Sequence, residues 1–235
     1  MRILSIIFSV VLAMSVSAQT PSVKMAFDEG TQKAQTGNYE NAIEDYQKAV
    51  LLSQNGKTDD AFLARIHFNL GVCLFHLQRN AEAIEELTEA IKVSQGKYQK
   101  AFYALGMAHG AMKNWQTAET AFRQAVRLKR DDGEAWFDLA LVLLEEKDFS
   151  AAETAFQNAV KYKSIGSADA HNNLGVIYAL KDDFSAAEKE FKTALMKSDG
   201  KLIKARNNLQ FCKLNKQNFN RNLLAKLEFS QITTN

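Results

Sequence analysis

The sequence repeats itself with a period of about 34 residues, and this repeat constrains the fold more than any single motif. A small residue follows a leucine at Gly71, Gly106, Ala140 and Gly175, at spacings of 35, 34 and 35 residues. A second string, in which two alanines flank one large and usually aromatic residue, begins at Asn38, Asn80, Asn114, Asp148 and Asp183. A repeat of this length predicts one supersecondary unit per period, with neighbouring units stacked to bury a continuous core.

Each repeating unit divides into two halves in which apolar residues return every three or four positions, the spacing of one helix face. The first half carries the small residue after its leucine, and the second half carries the paired alanines. Small side chains at these places allow two helix backbones to approach closely, while the large residue fills the space beside them. We therefore expect an all-α fold of five helical hairpins, at about residues 23–56, 64–97, 99–132, 133–166 and 168–201.

The two halves together are similar to a known family. First halves include HFNLGVCLFHL from His67 and WFDLALVLLEE from Trp136, and second halves include NWQTAETAFRQAV from Asn114. These strings resemble the tetratricopeptide repeat, whose pattern is Trp-x2-Leu-Gly-x2-Tyr followed by Ala-x3-Phe-x2-Ala. The resemblance covers most of the chain. It implies a right-handed α-solenoid of tandem hairpins with a C-terminal capping helix and a concave surface lined by the first helices.

The ends of the array depart from the regular pattern. Residues 201–227 begin a further first helix, so we expect C-terminal capping helices there and a frayed tail at residues 228–235. The surplus residues 57–63 predict that the first helix of the second repeat begins about two turns early, with its N-cap within residues 58–60. Five glycines are expected to end the second helices in a left-handed conformation, at Gly56, Gly96, Gly133, Gly166 and Gly200.

The N-terminus has the layout of a secretory signal peptide. Arg2 precedes an apolar run from Ile3 to Val16, and small residues follow up to Ala18. The run is shorter than the roughly 20 residues that a membrane-spanning helix requires, so we predict a signal peptide at residues 1–18. The mature protein is then periplasmic or secreted and requires no membrane contact. The signal's ending, Ser-Ala-Gln-Thr, resembles those of exported Bacteroidetes-type bacterial proteins.

The charge and the two cysteines limit what the chain is expected to bind and whether it forms a disulfide. The chain carries 29 basic and 27 acidic residues, and this net charge of +2 gives no indication of a nucleic-acid partner. Basic residues concentrate in the last part of the chain. Two interpretations of this basic end stay open: a solvated cap, or a contact surface for an acidic partner. Cys73 and Cys212 lie four repeats apart, which is too far for a disulfide, so we expect two buried thiols.

The sequence contains no recognisable catalytic or metal-binding pattern. Its four histidines form no His-Glu-x-x-His motif. The chain also has no glycine-rich phosphate loop, no Gly-x-Ser-x-Gly elbow and no Cys-x-x-Cys pair. We therefore predict a protein that is not an enzyme and that uses no metal, cofactor or small-molecule substrate.

The resemblance assigns polypeptide binding to inward-facing positions of the first helices. The apolar and aromatic residues of this predicted groove are Phe27, Phe68, Val72, Phe75, Tyr103, Met107, Phe137 and Leu141. Asparagines that share one position of the repeat form a predicted polar ladder for a ligand's backbone, at Asn69, Asn173 and Asn208. Such a surface suits an apolar or amphipathic segment of another protein.

Three interpretations of the groove stay open on sequence grounds. Its apolar residues bind a partner, or they are internal packing between repeats, or the chain's own segment 219–229 folds back onto them. The asparagines also have two interpretations, because the family pattern favours asparagine at this position for structural reasons as well.

The favoured function is an exported scaffold or adaptor that binds a polypeptide segment in an aromatic-lined groove. The alternative is a structural component of an envelope assembly that self-associates into homo-oligomers. The fold alone does not separate the two, because a repeat scaffold carries its function on its surface.

Overall fold

The computed structural model describes residues 22–54, 58–217 and 227–230, with the backbone alone for residues 215–217. Within these ranges all regular structure is helical, which confirms the predicted all-α class. The described helices are Val23–Gln35 (α1), Tyr39–Ser53 (α2), Asp60–His76 (α3), Asn80–Val93 (α4), Gln99–Ala111 (α5), Trp115–Leu128 (α6), Gly133–Glu145 (α7), Phe149–Lys161 (α8), Ser167–Leu180 (α9), Phe184–Lys197 (α10) and Ile203–Gln217 (α11). None of these helices has both the length and the apolarity to cross a membrane. The predicted signal peptide lies outside the described residues, as do residues 218–226 and 231–235.

The helices pack as five consecutive hairpins, α1–α2, α3–α4, α5–α6, α7–α8 and α9–α10, and α11 closes the array. Each second helix also packs against the first helix of the next hairpin. First helices approach one another at α1–α3, α3–α5 and α9–α11, and no comparable contact joins second helices within the described ranges. The first helices therefore lie on the inner side of the array, as the sequence resemblance implies.

The close approach that the sequence predicts within each hairpin is present. The second-helix alanines Ala42, Ala83, Ala118, Ala152 and Ala187 are all completely buried. An added Cβ atom would lie 2.8 Å from the ring of Phe122 at Gly106, and 2.6 Å from the ring of Phe191 at Gly175. These glycines are required because the two helices touch at this point, with the aromatic ring packed directly against the first-helix backbone.

Left-handed residues connect the two helices of every hairpin. The residue with positive φ is Gly37, Gln78, Lys113, Lys147 or Asp182, with φ between 59° and 78°. Of the glycines predicted to end second helices, Gly96 and Gly200 have the expected left-handed conformation, with φ of 73° and 74°. Gly56 lies outside the described residues.

The prediction for Gly133 and Gly166 is wrong. Gly133 is the first residue of α7, and Gly166 is the N-cap of α9, with φ of −72°. An added Cβ atom would lie 2.8 Å from the backbone nitrogen of Ser164 at the first position, and 2.9 Å from the ring of Phe137 at the second. Glycine is needed at both places because another part of the chain lies close to it: the end of α8 in the same hairpin at Gly133, and a ring of the preceding hairpin at Gly166. Backbone conformation is not the reason.

The first helix of the second repeat begins one turn early, where the sequence predicts two. It starts at Asp60, which is 11 residues before Gly71, whereas α5 starts at Gln99, which is seven before Gly106. The side chain of Asp59 accepts a hydrogen bond of 3.1 Å from the Phe62 N–H, so the predicted N-cap is confirmed. The extension is shorter than predicted because part of the surplus sequence precedes this cap.

The two cysteines are buried and are not bonded to each other, as predicted. Cys73 packs in the cluster of the first repeats, and Cys212 packs in the cluster around α9 and α10. Burial raises the pKa of the Cys73 thiol to about 11. The Cys212 thiol donates a hydrogen bond of 3.2 Å to the Phe184 carbonyl.

Candidate functional site

Several residues of the predicted apolar groove pack inside the array. Phe27 is 5% exposed, and the centre of its ring lies 5.7 Å from that of Tyr46 on α2. Phe137 makes the equivalent contact with Phe156 on α8, at 5.8 Å. Leu141 is buried on the same helix as Phe137. These side chains pack helices of the array together, and their role in binding a polypeptide stays a prediction.

The other predicted apolar residues are half-buried on the first helices, at Phe68, Val72, Phe75, Tyr103 and Met107. The Phe68 ring packs 5.1 Å from that of Tyr98. Val72 and Asn69 line a concavity formed by α1, α2 and α3. Asn69 donates a hydrogen bond of 3.3 Å to the Tyr46 hydroxyl. The structure therefore separates Asn69 from the other two predicted asparagines, which lie at the C-terminal end of the array.

A half-buried carboxyl group links two first helices in the middle of the inner surface. Asp138 on α7 accepts a hydrogen bond of 2.6 Å from the Tyr103 hydroxyl on α5. Burial raises the pKa of Asp138 from 3.8 to about 6, although this hydrogen bond acts in the opposite direction. Burial, with the adjacent Asp138 carboxylate, also raises the pKa of Tyr103 above its usual range. The tyrosine therefore stays protonated and donates.

Asp138→Asn is expected to stabilise the protein at pH 7 by about 1–3 kcal/mol. The folded-state pKa of Asp138 lies above its unfolded value. The folded state therefore binds more protons between about pH 4 and pH 6, and this carboxyl group costs stability as the pH rises through that window. The amide still accepts from Tyr103 but carries no charge. Urea unfolding of both proteins checks this, since their stability difference should grow from pH 4 to pH 7. A constant difference would contradict the assignment.

The character of the inner surface changes at α9. Asn172 occupies the repeat position that holds an aromatic residue in earlier first helices, at Phe27, Phe68, Tyr103 and Phe137. Asn172, Asn173 and Asn208 are each 0% exposed, and we call these three the asparagine cluster. The Asn208 Nδ2 donates to the Asn172 Oδ1 at 2.8 Å, which joins α11 to α9. Polar groups buried in this way must find hydrogen-bond partners.

The partners include the backbone of residues 227–230, which we call the tail segment. The Glu228 N–H donates to the Asn208 Oδ1 at 2.9 Å, and its carbonyl accepts from the Asn208 Nδ2 at 2.8 Å. The Ser230 N–H donates to the Asn173 Oδ1 at 2.7 Å, and its carbonyl accepts from the Asn173 Nδ2 at 3.1 Å. The Asn172 Nδ2 also donates to the Glu228 carbonyl at 3.1 Å. Two side-chain amides thus pair with the peptide backbone as a neighbouring β-strand would.

Apolar side chains complete the contact of the tail segment. The ring of Phe229 stacks on that of Phe149, with centres 6.1 Å apart and an angle of 9° between the planes. Leu227 and Phe229 pack against the hydrophobic cluster of α9 and α10. The Lys204 ammonium donates to the Phe229 carbonyl at 3.3 Å, and Ser230 is 6% exposed. The sequence predicts a frayed tail from residue 228, and the structure differs because these contacts hold residues 228–230 on the array.

Two asparagines of the predicted polar ladder, Asn173 and Asn208, lie in this site. Asn172 is an inward-facing residue by its repeat position, whereas sequence reasoning missed Phe149 and Lys204. Asn172 carries a usable signal, because asparagine interrupts a column of aromatic residues. Phe149 and Lys204 carry none, because their contacts depend on where the tail segment crosses the array. The contacts of residues 227–230 agree in part with the third open interpretation of the groove, in which segment 219–229 folds back. Residues 219–226 lie outside the described part of the chain.

The site offers groups for binding a polypeptide backbone and an aromatic side chain. Among the described residues, no three His, Cys, Asp or Glu side chains are placed to hold a metal ion. His67 and His171 pair within their own hairpins, with Glu86 at 2.7 Å and Glu190 at 2.6 Å. The arrangement around the tail segment therefore consists of amide donors and acceptors, one ammonium group and an apolar wall.

Comparison with solved structures shows proteins of the same architecture. A crystal structure of MamA is 26% identical and superposes with a TM-score of 0.65, over 73% of this chain and 95% of MamA. YrrB, described as a TPR protein with an unusual peptide-binding site, is 21% identical with a TM-score of 0.66, over 80% of this chain and 91% of YrrB. Pseudomonas aeruginosa PilF is 20% identical with a TM-score of 0.66, over 83% and 82%. At these identities, the YrrB and PilF comparisons show a shared fold alone.

Comparison with curated proteins gives shorter matches. A stretch of 120 residues is 26% identical to a DnaJ homolog subfamily C member 7 homolog of Schizosaccharomyces pombe. A stretch of 113 residues is 25% identical to the protein of that name in Dictyostelium discoideum. The matches cover 51% and 48% of this chain but only 24% and 20% of the length of these relatives.

Family models extend the assignment over most of the repeat array. A tetratricopeptide-repeat model matches residues 28–96, and a second one matches residues 103–164 and 143–201. These matches cover most of the hairpins from α1 to α10, which have the helix order described above. The chain therefore belongs to the tetratricopeptide-repeat family.

Proposed function

We propose that this protein is a scaffold that holds an extended segment of another polypeptide on its inner surface, at the asparagine cluster. The observation that carries the proposal is the tail segment, whose backbone is bonded on both its N–H and its carbonyl side by Asn173 and Asn208. A surface that binds one extended peptide through its backbone is suited to bind another, because backbone groups are common to all sequences. YrrB, with the same fold, is described as having a peptide-binding site.

The proposal modifies the sequence-based hypothesis of an aromatic-lined groove. The aromatic rings at Phe27 and Phe137 pack against neighbouring helices inside the array, so they offer little surface to a ligand. The polar end of the inner surface, around α9 and α11, carries the unusual feature of three completely buried asparagines. The ligand is therefore recognised through hydrogen bonds to its backbone and through one aromatic contact, with Phe149.

We further propose that the protein acts outside the cytoplasm, in the periplasm or as a secreted protein. The support is the sequence of residues 1–18, in which a basic residue, an apolar run and small residues follow one another as in a signal peptide. Mass spectrometry of the protein from its native host tests this, because cleavage would give an N-terminus at Gln19. An intact Met1 on the mature protein would contradict export by this route.

Photocrosslinking in the host's envelope fraction tests the binding function. The full chain carries p-benzoylphenylalanine in place of Phe149, which contacts the tail segment, or in place of the exposed Thr120 on α6 as a matched control. The proposal predicts a crosslinked partner at position 149 that is absent at position 120. Equal crosslinking at both positions, or products formed only within the chain, would contradict it. A product between two copies of the chain would instead favour the self-associating alternative.

A further inference from the structure

The tail segment lies on the array as a bound peptide ligand would, and two of its side chains can be recognised by the surface. Glu228 and Ser230 pair with the asparagine cluster, and they are two positions apart, so they present the same edge of an extended backbone. The side chain of Glu228 is exposed and contributes little to selection. The aromatic ring of Phe229 and the buried side chain of Ser230 are the parts that the surface can recognise.

The space around Ser230 limits what can follow the aromatic residue. Ser230 is 6% exposed, and its Oγ lies 3.4 Å from the Nδ2 of Asn172, which donates to it. A large side chain would have no room at this buried position, and an apolar one would leave that donor with one acceptor fewer. The site therefore selects an aromatic residue followed by a small hydroxyl residue.

We propose that the asparagine cluster recognises an extended segment of a partner protein with an aromatic residue followed by serine, and that the chain's own tail segment occupies this site until such a segment displaces it. This inference rests on the proposed function and names the ligand pattern and the competitor. Partner binding and release of the tail segment are then the same event, because both use the amides of Asn173 and Asn208.

Covalent attachment gives the tail segment an advantage over any free ligand. Residues 218–226 join it to α11, and a short connection of this kind holds a ligand at an effective concentration on the order of millimolar. A partner segment at lower concentration competes poorly unless it makes additional contacts along the inner surface. The tail segment therefore sets a threshold that excludes weak and nonspecific peptides.

A peptide-binding assay with the full chain tests this inference. The tail-release variant carries Phe229→Asp, which removes the stacking contact with Phe149, and Ser230→Pro, which removes the N–H that donates to Asn173. The probe is a fluorescent peptide with the sequence of residues 225–232, AKLEFSQI. We expect the probe to bind the variant at least about tenfold more tightly than the wild type. A probe with aspartate at the phenylalanine position is expected not to bind. Equal affinity for wild type and variant would overturn the inference.

A second measurement uses the wild-type chain and so does not depend on the variant's folding. Unlabelled AKLEFSQI peptide in excess is expected to accelerate amide hydrogen exchange at Glu228 and Ser230, because displaced amides lose their asparagine acceptors. Unchanged exchange at saturating peptide would contradict displacement.

If the peptide fails in both assays while position 149 still crosslinks a partner, the ligand pattern is wrong and the scaffold function stands. If the peptide binds but no partner is crosslinked, the scaffold function is the part that fails.

Discussion

Gly175→Leu is expected to destabilise the protein by about 3 kcal/mol or more, and to disrupt the hairpin that carries the asparagine cluster. A Cβ atom alone would lie 2.6 Å from the ring of Phe191, and leucine adds three further carbon atoms. Phe191 is completely buried, so its ring cannot move aside without displacing α10. The favourable helix propensity of leucine recovers only about 1 kcal/mol relative to glycine.

Gly110→Leu is the matched control for this substitution. Gly110 also lies in a first helix, α5, but only one atom of Trp115 comes as close as 4.0 Å to an added Cβ. The same change there is expected to leave stability unchanged or to raise it by up to about 1 kcal/mol. Urea unfolding followed by circular dichroism measures both variants. Similar losses at the two positions would show that helix contact at Gly175 is not the cause.

Asn208→Ala is expected to lower stability by about 2–4 kcal/mol and to free the tail segment. The substitution removes the donor to the Asn172 Oδ1, which is completely buried, and it removes both hydrogen bonds to Glu228. Unpaired polar groups would then remain inside the array, and leaving a buried acceptor without its donor costs more than a typical hydrogen bond contributes. Urea unfolding measures the loss of stability. Chymotryptic cleavage at Phe229 measures the release of the tail segment.

The control for this prediction is Asn207→Ala, one residue earlier on α11. Asn207 is half-buried, and alanine there makes the same change in helix propensity while leaving the asparagine cluster intact. We expect a stability change within about 0.5 kcal/mol and no new cleavage. Cleavage of the wild type and of both variants at one rate would show that Asn208 does not hold the tail segment.

Most of the fold follows from the sequence because it depends on local and repeated features. The period near residues 71, 106, 140 and 175 defines the hairpins, and the small residues at those positions meet the large second-helix residues as expected. The one predicted N-cap is also confirmed, at Asp59. Such features depend only on residues that are close in the sequence or one repeat away, so a single sequence is enough to recognise them.

The sequence is less informative where a residue's role depends on how closely two parts of the array pack. Gly133 and Gly166 look like helix terminators by position, yet they are small because Ser164 and Phe137 lie against them. Phe27 looks like a groove residue by its place in the repeat, yet it packs on Tyr46 and Phe62. Periodicity identifies the helix face, but the depth at which that face is buried depends on the neighbouring helix.

The candidate site shows the same limit over a longer distance. Asn173 and Asn208 are recognisable because they share one repeat position, and Asn172 stands out against the aromatic residues of its column. The return of Phe229 to Phe149 joins residues far apart in the chain, and no repeat pattern encodes that contact. Here the sequence offers the tail's return only as one of several open alternatives.

Amide hydrogen exchange of Glu228 and Ser230 in the wild-type protein tests the central claim most directly. Each N–H donates to an asparagine side chain, at 2.9 Å for Glu228 and 2.7 Å for Ser230. We predict exchange at least about 100-fold slower than in the isolated AKLEFSQI peptide. Exchange at the peptide's own rate for both amides would contradict the account, because the inner surface would then hold no polypeptide backbone.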